Sequence, residues 1–329
     1  MKNPLKRKTP TILDGGFATE LERTFKKDLS GELWAARMII EDPDAVKAVH
    51  RAYYDAGADI ATTSTYQASY PGFAHAGYTP SETTHYFTKS VALAVSARDE
   101  YYTSYITSHT IASESHPDIH TPLPKEKPLV AASLGCYGAL LSNGAEYTGD
   151  YGTVTEAEVY KFHVDRIHAC LGEPGVDVLA FETVPKVSEA RVIGDLMRRE
   201  GFGVPAWVSF SCRDSRNVSH GESLYDAFEA VKDVSGIVGL GVNCTPPEYL
   251  KGLLESVGEF KDTHSVVVYP NSGEVWDGLH KVWKSNGQAA TAESFAAMAK
   301  EEWVTSGATV IGGCCRTTPD YTKELKRVL

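Results

Sequence analysis

The chain has 329 residues and a formal net charge of −11, with 42% hydrophobic and 23% charged residues. This is an ordinary composition for a folded protein, and the acidic excess argues against a nucleic-acid partner, because phosphate-backbone binding needs clustered Lys and Arg. No run of eighteen apolar residues is present, so we expect no membrane-spanning segment.

The N-terminal residues 1–10 are basic but lack the apolar stretch of an export signal, so we expect a cytoplasmic protein with reduced thiols. Six cysteines stand at positions 136, 170, 212, 244, 314 and 315, without a short-range disulfide framework. Structural disulfides are therefore not expected. Metal binding, catalysis or packing remain as roles for these cysteines.

Eight short apolar segments recur along the chain, and each ends in glycine or polar residues. They are apolar nearly throughout rather than alternating, which is typical of parallel strands covered on both faces. The predicted strands are 11–16, 58–65, 129–135, 178–183, 206–211, 237–244, 265–272 and 309–315.

Helical segments alternate with these strands, and one of them begins with Thr155 and Glu158 at the spacing of a capping box. The alternation predicts an α/β fold, a single (β/α)8 TIM barrel that occupies residues 1–329 as one domain. An open doubly wound sheet is the alternative, but no Gly-x-Gly-x-x-Gly motif follows the first strand. The predicted helices are 42–57, 153–172, 186–200, 223–234, 246–260 and 291–307.

Residues 105–128 interrupt this alternation. They contain three His, four Pro and many Ser and Thr with no periodicity, which predicts a long surface loop inserted before the third strand. His109, His116 and His120 are candidates for a metal-binding tract. Their irregular spacing in a proline-rich segment favours a solvated loop.

The active site of a (β/α)8 barrel lies at the C-terminal ends of its strands, so the residues that close each segment are candidates. Successive side chains of a strand point to opposite faces, so Cys314 and Cys315 serve one site only if the strand ends before them. Gly312 and Gly313 permit such an ending. The closing residues are Asp14, Thr63, Thr65, Glu182, Ser211, Cys212, Asn243, Cys244, Asn271, Cys314 and Cys315.

Three of these residues, Cys244, Cys314 and Cys315, are expected to converge at the mouth of the barrel. Three thiolates suit Zn²⁺ with its fourth position open, as in a catalytic site. The alternatives are a vicinal disulfide and two inert buried thiols. A zinc centre with three thiolates would hold a substrate thiol as thiolate, and alkylation of sulfur is the chemistry that this favours.

Two acidic residues, Asp14 and Glu182, close the first and fourth strands and are suited to bind an ammonium group. A thiol together with an ammonium group describes a thiol amino acid. The alternatives are a turn residue at Asp14 and a helix N-terminal charge at Glu182. Their position at the same end of the barrel as the cysteines favours substrate binding.

The chain resembles the zinc-dependent homocysteine S-methyltransferases over nearly its whole length, in the motifs LDGGFATELE, FETVPKVSEA, GVNCTPP and GGCCRTTP. The resemblance implies that Trp34 lies near the methyl donor, where an aromatic face attracts a sulfonium or quaternary ammonium group. It also implies Zn²⁺ ligands at Cys244, Cys314 and Cys315, and homocysteine contacts at Asp14, Gly15, Thr63 and Glu182.

The segments 143–152 and 269–277 resemble the branch that uses S-methylmethionine or S-adenosylmethionine rather than betaine. Within them we expect Glu146, Tyr147 and Asn271 to contact the methyl donor. One departure from this branch is Cys136, which stands where the branch usually has proline. We expect this cysteine to pack as a small hydrophobic residue rather than to bind metal.

These features predict a zinc-dependent homocysteine S-methyltransferase that moves a methyl group from S-methylmethionine or S-adenosylmethionine to the thiolate of homocysteine, forming methionine. The expected partners are these small molecules, with neither nucleic acid nor membrane, and the chain is expected to be a monomer or a small homo-oligomer. The alternatives are a betaine-type methyltransferase and a non-catalytic barrel that binds zinc or thiols.

Overall fold

A sheet of eight parallel strands forms the centre of the computed structural model, which describes residues 2–29, 33–115, 126–277, 282–285 and 291–329. The strands follow in the order β1-β10-β7-β6-β5-β4-β3-β2, and a parallel bridge between Leu13 and Ile60 joins the two ends of the sheet. The predicted (β/α)8 barrel is therefore confirmed. The strands are β1 Thr11–Ile12, β2 Ile60–Thr62, β3 Leu129–Gly135, β4 Val178–Val184, β5 Ala206–Phe210, β6 Ile237–Asn243, β7 Ser265–Tyr269 and β10 Val310–Ile311, with an antiparallel pair of β8 Glu274–Asp277 and β9 Val282–Ser285 between the last two.

Helices surround this sheet, and their N-termini follow the sequence signals. Thr155 and Glu158 form the predicted capping box at the start of α7, and Asp42 caps α3 ahead of Pro43. The helices are α1 Phe17–Phe25, α2 Met38–Glu41, α3 Pro43–Asp55, α4 Tyr70–His75, α5 Pro80–Ser115, α6 Tyr137–Leu141, α7 Glu156–Leu171, α8 Val187–Glu200, α9 Leu224–Glu229, α10 Leu250–Ser256, α11 Ala292–Met298 and α12 Pro319–Val328.

Helix α5 corrects the prediction of a loop over residues 105–128. Residues 105–115 continue the helix that begins at Pro80, while 116–125, with His116 and His120, lie outside the described residues. The hydroxyl groups of Thr107 and Thr110 donate to main-chain carbonyls four residues earlier, so these polar side chains are accommodated on a helix. No helix in the described part of the chain has the length and hydrophobicity needed to cross a membrane.

The side chains inside the barrel change from apolar to polar along the strands. Successive residues of a strand face opposite sides, so Ala131, Ala180 and Trp207 fill the interior, while their neighbours pack against the helices. Two residues further along lie Ser133, Glu182 and Ser209, and these are also buried. The C-terminal end of the barrel interior is therefore lined with polar groups.

The N-terminal arm, residues 2–10, closes the opposite end of the barrel. Leu5 is fully buried among the interior residues, and the side chain of Asn3 donates to Val238 O at 3.3 Å and to Ser265 Oγ at 3.2 Å. Arg7 and Lys326 both form ion pairs with the buried carboxylate of Asp59. Sequence periodicity does not show this arm, because one leucine in a polar stretch has no pattern.

Leu5→Ala is expected to lower the free energy of unfolding by about 2 to 5 kcal/mol, because it leaves a cavity in the closed end of the barrel. Urea denaturation would measure the difference. Lys6→Ala is the matched control, since Lys6 is exposed beside it. A Leu5→Ala protein as stable as the control would contradict the closing role of the arm.

Candidate active site

Two loops at the C-terminal end of the barrel are held by the strand between them. Strand β7 lies between β6 and β10 in the sheet. Its end accepts a hydrogen bond from Cys244 N at Tyr269 O, 3.2 Å, and another from Cys314 N at Pro270 O, 2.7 Å. Cysteines that are 70 residues apart are thus fixed side by side.

The last strand ends before the cysteine pair, as the sequence predicts. Strand β10 stops at Ile311, and a side chain on Gly312 would place its Cβ 2.6 Å from Asp14 O. Glycine is required there for close packing rather than for a left-handed backbone. The chain turns at Arg316, whose φ is 68°.

The sulfur atoms of Cys244, Cys314 and Cys315 lie within 4.8 Å of one another, which brings the three predicted ligands together. Cys244 and Cys314 are paired in a disulfide with a Cα–Cα distance of 5.6 Å, and Cys315 is a free thiol. The pair joins two of the three predicted metal ligands, and it is not the vicinal pair of Cys314 with Cys315 that was the alternative. Converging sulfurs can either pair by oxidation or bind a metal, and both states use the same residues.

This group of sulfurs fits a soft metal ion. Three Sγ atoms at one point are a donor set for Zn²⁺, and they come from the rigid ends of two strands. Among the described residues, no other group of three or more His, Cys, Asp or Glu brings its ligand atoms this close together. Cys136 is fully buried outside the group, as a packing role requires, and burial raises the pKa of its thiol.

Asp14 follows β1 and is almost completely buried. Thr62 donates to its Oδ2 atom twice, from the main-chain N–H at 2.7 Å and from the hydroxyl at 3.1 Å. Burial raises the pKa of Asp14 well above its usual range against these hydrogen bonds, and the negative charge of Glu182 raises it further. The two acids are therefore near neighbours in the barrel, although 168 residues separate them in the sequence.

Glu182 lies in an irregularity of β4. The register with β5 shifts between Phe181 and Val184, and Thr183 has a φ of 61°. The Ser133 hydroxyl donates to Glu182 Oε2 inside the barrel. Burial raises the pKa of Glu182 to about 7, although hydrogen bonds from Ser133 and Tyr269 favour its ionised form.

Thr63 and Gly15, the other predicted homocysteine contacts, are placed by the same loops. The Thr63 hydroxyl accepts from Ser133 N at 3.0 Å and is bonded to the Thr65 hydroxyl, which donates to Ser133 O. Thr63 must therefore donate to Thr65, and it keeps one lone pair for a ligand donor. A Cβ on Gly15 would lie 2.8 Å from Thr317 Oγ1, so only glycine lets the first loop pack this close to Thr317.

The residues predicted to contact the methyl donor include two with buried hydrogen-bond acceptors, in segments next to the cysteine group. Glu146 Oε2 and Asn271 Oδ1 are buried without a hydrogen-bond partner among the described residues. Asn271 precedes Ser272, whose N–H donates to Cys315 O at 3.0 Å. The pKa of Tyr147 is raised by burial of its hydroxyl and then by the nearby Cys315 thiol. Two unpaired acceptors beside the sulfurs are suited to a ligand that carries N–H groups.

Trp34 begins a 3-10 turn, Trp34–Arg37, with a φ of 46° and 48% of its surface exposed. Its neighbour Leu33 packs beside Gly72 in α4, which follows β2. The turn that carries Trp34 therefore lies next to the helix that follows β2. His109, proposed as an alternative metal ligand, packs against Tyr105 on α5 and belongs to no cysteine group.

Two residues near the site escaped the sequence interpretation. Tyr66 bonds to the side chain of Thr183, and its pKa is raised by burial and by Cys136 and Tyr147. Arg166 on α7 is fully buried and donates to Gly135 O at 2.7 Å and Tyr66 O at 2.9 Å. The sequence signal for Arg166 is its position on the apolar face of a predicted helix.

The fold therefore brings three converging sulfurs and two buried acids to the C-terminal end of one barrel. A model of the homocysteine S-methyltransferase family matches residues 11–329. Homocysteine S-methyltransferase 1 of Zea mays is 40% identical over 326 residues, which cover 97% of this chain and 94% of the relative. The homocysteine methyltransferase MmuM from Escherichia coli is similar in its oxidized form, with a TM-score of 0.81, and in its metallated form, with 0.78, each at 34% identity over 99% of both chains.

This chain belongs to the homocysteine S-methyltransferase family. The family and the class of enzyme, a methyltransferase, are those predicted from the motifs. The similarity extends through both cysteine segments, because the family match includes the last strand and its loop.

Proposed function

We propose that this protein methylates homocysteine, using Zn²⁺ held by Cys244, Cys314 and Cys315 and a methyl group from S-methylmethionine or S-adenosylmethionine. The observation that carries the proposal is the convergence of three sulfurs beside two buried acids. The metallated form of a relative at 34% identity supports metal binding by this protein. When bound there, Zn²⁺ would keep the substrate thiol ionised at neutral pH and nucleophilic.

The two acids are assigned to the substrate ammonium group. Burial raises the pKa of both Asp14 and Glu182, and the negative charge of Glu182 adds to the cost of ionising Asp14. A bound ammonium ion would remove that cost and would accept both carboxylates as charge-assisted partners. Thr62 occupies Asp14 Oδ2, so we assign Oδ1 to the ligand. Thr63 offers its remaining lone pair, and Gly15 keeps the first loop close to Thr317.

The unpaired acceptors Glu146 Oε2 and Asn271 Oδ1 are assigned to the methyl donor. A sulfonium amino acid carries an ammonium group, and acceptors that are already desolvated gain the most from such a partner. Trp34 and Tyr147 are two large aromatic residues that are 48% and 46% exposed. Their faces would attract the positive sulfonium group as it enters.

The reaction is an in-line displacement at the methyl carbon. The homocysteine thiol first loses its proton, which leaves to solvent, and its sulfur then forms the new S–C bond. The old S–C bond breaks with its electron pair returning to the donor sulfur, so one proton is released and no oxidant is consumed. The contribution of the protein is to hold two substrates in line, which is worth about 7 to 11 kcal/mol in well-oriented systems. The positive donor is neutralised during the transfer, so a site that excludes water favours the step.

The remaining expectations complete the proposal. The partners are two small molecules, and the chain acts as a monomer or a small homo-oligomer. A cytoplasmic location agrees with three thiolate ligands, because a reducing compartment keeps such cysteines available to metal.

The test is methyl transfer to homocysteine by the purified protein, loaded with zinc under reducing conditions. S-methylmethionine, S-adenosylmethionine and betaine, each labelled with ¹³C in the reactive methyl group, would be compared by following labelled methionine. Turnover is expected with at least one sulfonium donor at rates well above that with betaine. Faster transfer from betaine would contradict the assigned donor class, and no transfer from any donor would favour a binding protein.

A further inference from the structure

Thr183, the residue after the substrate acid Glu182, has an unfavourable backbone conformation. Its φ of 61° lies in the left-handed region, where a β-branched side chain is a genuine outlier. The residue is fully buried, and the register shift between β4 and β5 falls beside it. A conformation of this kind persists only where surrounding contacts impose it.

The side chain of Asn243 supplies those contacts. Thr183 N donates to Asn243 Oδ1 at 2.7 Å, and Asn243 Nδ2 donates to Thr183 Oγ1 at 2.8 Å. Both residues are buried, so a lost bond would leave a polar group without water or a partner. The two bonds hold both the main chain and the side chain of Thr183. They therefore fix the backbone next to Glu182 and with it the direction of the Glu182 side chain.

Asn243 is also the last residue of β6, directly before the metal-ligand candidate Cys244. Cys244 has a φ of 47°, again in the left-handed region. The carbonyl of Asn243 accepts the Thr245 hydroxyl at 2.9 Å, and the same hydroxyl accepts Cys212 N at 3.0 Å. One residue therefore connects the main chain that carries the acid with the main chain that carries the sulfur.

We propose that Asn243 is a positioning residue that sets the separation between the ammonium anchor at Glu182 and the sulfur anchor at Cys244. The inference rests on the proposed function, in which one amino acid spans both anchors. Homocysteine and cysteine differ by one methylene between these groups. The fixed separation therefore selects the length of the thiol amino acid, and a methylene is worth about 10-fold to 200-fold in such discrimination.

The variants that test this are Asn243→Ala, Thr183→Gly and the double substitution, each loaded with zinc and checked for metal content. Calorimetry would give the affinities for L-homocysteine and L-cysteine. Asn243→Ala is expected to weaken homocysteine binding about 10-fold or more and to reduce the preference for homocysteine over cysteine. Glycine adopts a left-handed backbone without strain, so adding Thr183→Gly should restore part of both losses.

Asn3→Ala is the matched control. It removes a side chain that bonds to Val238 O at the start of β6, at the opposite end of the same strand. This variant should leave the ratio of the two affinities unchanged, although its stability falls. A wild-type protein that binds homocysteine without methyl transfer would contradict the proposed function while leaving the Asn243 comparison measurable.

Three results would overturn the inference. The first is an Asn243→Ala protein with wild-type affinity and preference. The second is a loss of zinc or of homocysteine binding in Asn243→Ala that is equally large in the double variant with Thr183→Gly. Asn243 would then position Cys244 alone. The third is failure of both the single and the double Asn243 variants to fold, which would make the residue purely structural.

Discussion

Replacement of Cys315 by serine is expected to abolish metal binding and to lower methyl transfer by about 10³-fold or more. The side chain lies within 4.8 Å of the other two sulfurs and is the free thiol of the group. A hydroxyl is a poor ligand for a soft metal site, and a metal ion contributes several kcal/mol to reactions at its ligands. Metal analysis of the purified protein and single-turnover methyl transfer would measure the two effects separately.

Cys136→Ala is the matched control for this substitution. Cys136 is a buried thiol outside the sulfur group, beside Tyr151 and Glu189, so its replacement should leave one metal ion per chain. Retained metal and turnover in Cys315→Ser would exclude Cys315 as a ligand. Loss of metal in Cys136→Ala would place this fourth thiol in the site instead.

Glu182→Gln is expected to raise the homocysteine KM by about 30-fold or more at pH 8, because removing a buried charge partner costs about 2 kcal/mol or more. The pH dependence should change as well. Burial places the pKa of Glu182 at about 7, and only the ionised carboxylate binds ammonium strongly. Wild-type affinity should therefore fall as the pH drops below 7, and the difference between wild type and variant should shrink.

Stability should respond in the opposite direction. The folded protein holds the Glu182 proton more tightly than the unfolded chain does, so the stabilisation from this proton is complete at low pH. It is lost as the pH rises from about 4.5 to about 7, by about 3 kcal/mol in the ligand-free protein. Urea denaturation of Glu182→Gln should show a smaller loss over this range.

Asp59→Asn controls for the removal of a buried carboxylate far from the site. Asp59 pairs with Arg7 and Lys326 at the closed end of the barrel, so its loss should lower stability and leave the pH profile of homocysteine binding intact. An unchanged pH profile in Glu182→Gln would contradict the assignment of this acid to the ammonium group.

The strands and the sulfur group were predictable because both depend on local patterns. Continuous apolar runs mark buried parallel strands, and a barrel brings their C-terminal ends to one mouth, so Cys244 and the pair at 314 and 315 could be placed together without coordinates. The same argument placed Asp14 and Glu182 at one end, and the effect of the Glu182 charge on the pKa of Asp14 agrees with it.

What the sequence could not show depends on contacts between distant residues. The left-handed backbone at Thr183 and Cys244 contradicts the conformational preferences of threonine and cysteine. At Thr183 it depends on hydrogen bonds with Asn243, which is 60 residues away in the sequence. The N-terminal arm depends on one leucine entering the barrel. Helix α5 has serine and threonine where an apolar stripe would mark a surface helix, so no helix was predicted over its residues.

The junction between β1 and β2 has a consequence for how the barrel opens. These strands are two and three residues long, and two main-chain hydrogen bonds join them, from Asp59 N to Ile12 O and from Asp14 N to Ile60 O. The carboxylates of Asp59 and Asp14 accept three more, from Ile12 N and from the main chain and hydroxyl of Thr62. Local unfolding begins where few hydrogen bonds must break, so this junction is where we expect amide protons to exchange with solvent before those of β4 to β6. Asp14 is also a proposed substrate contact. We therefore expect local opening of this junction and the binding and release of homocysteine to be coupled.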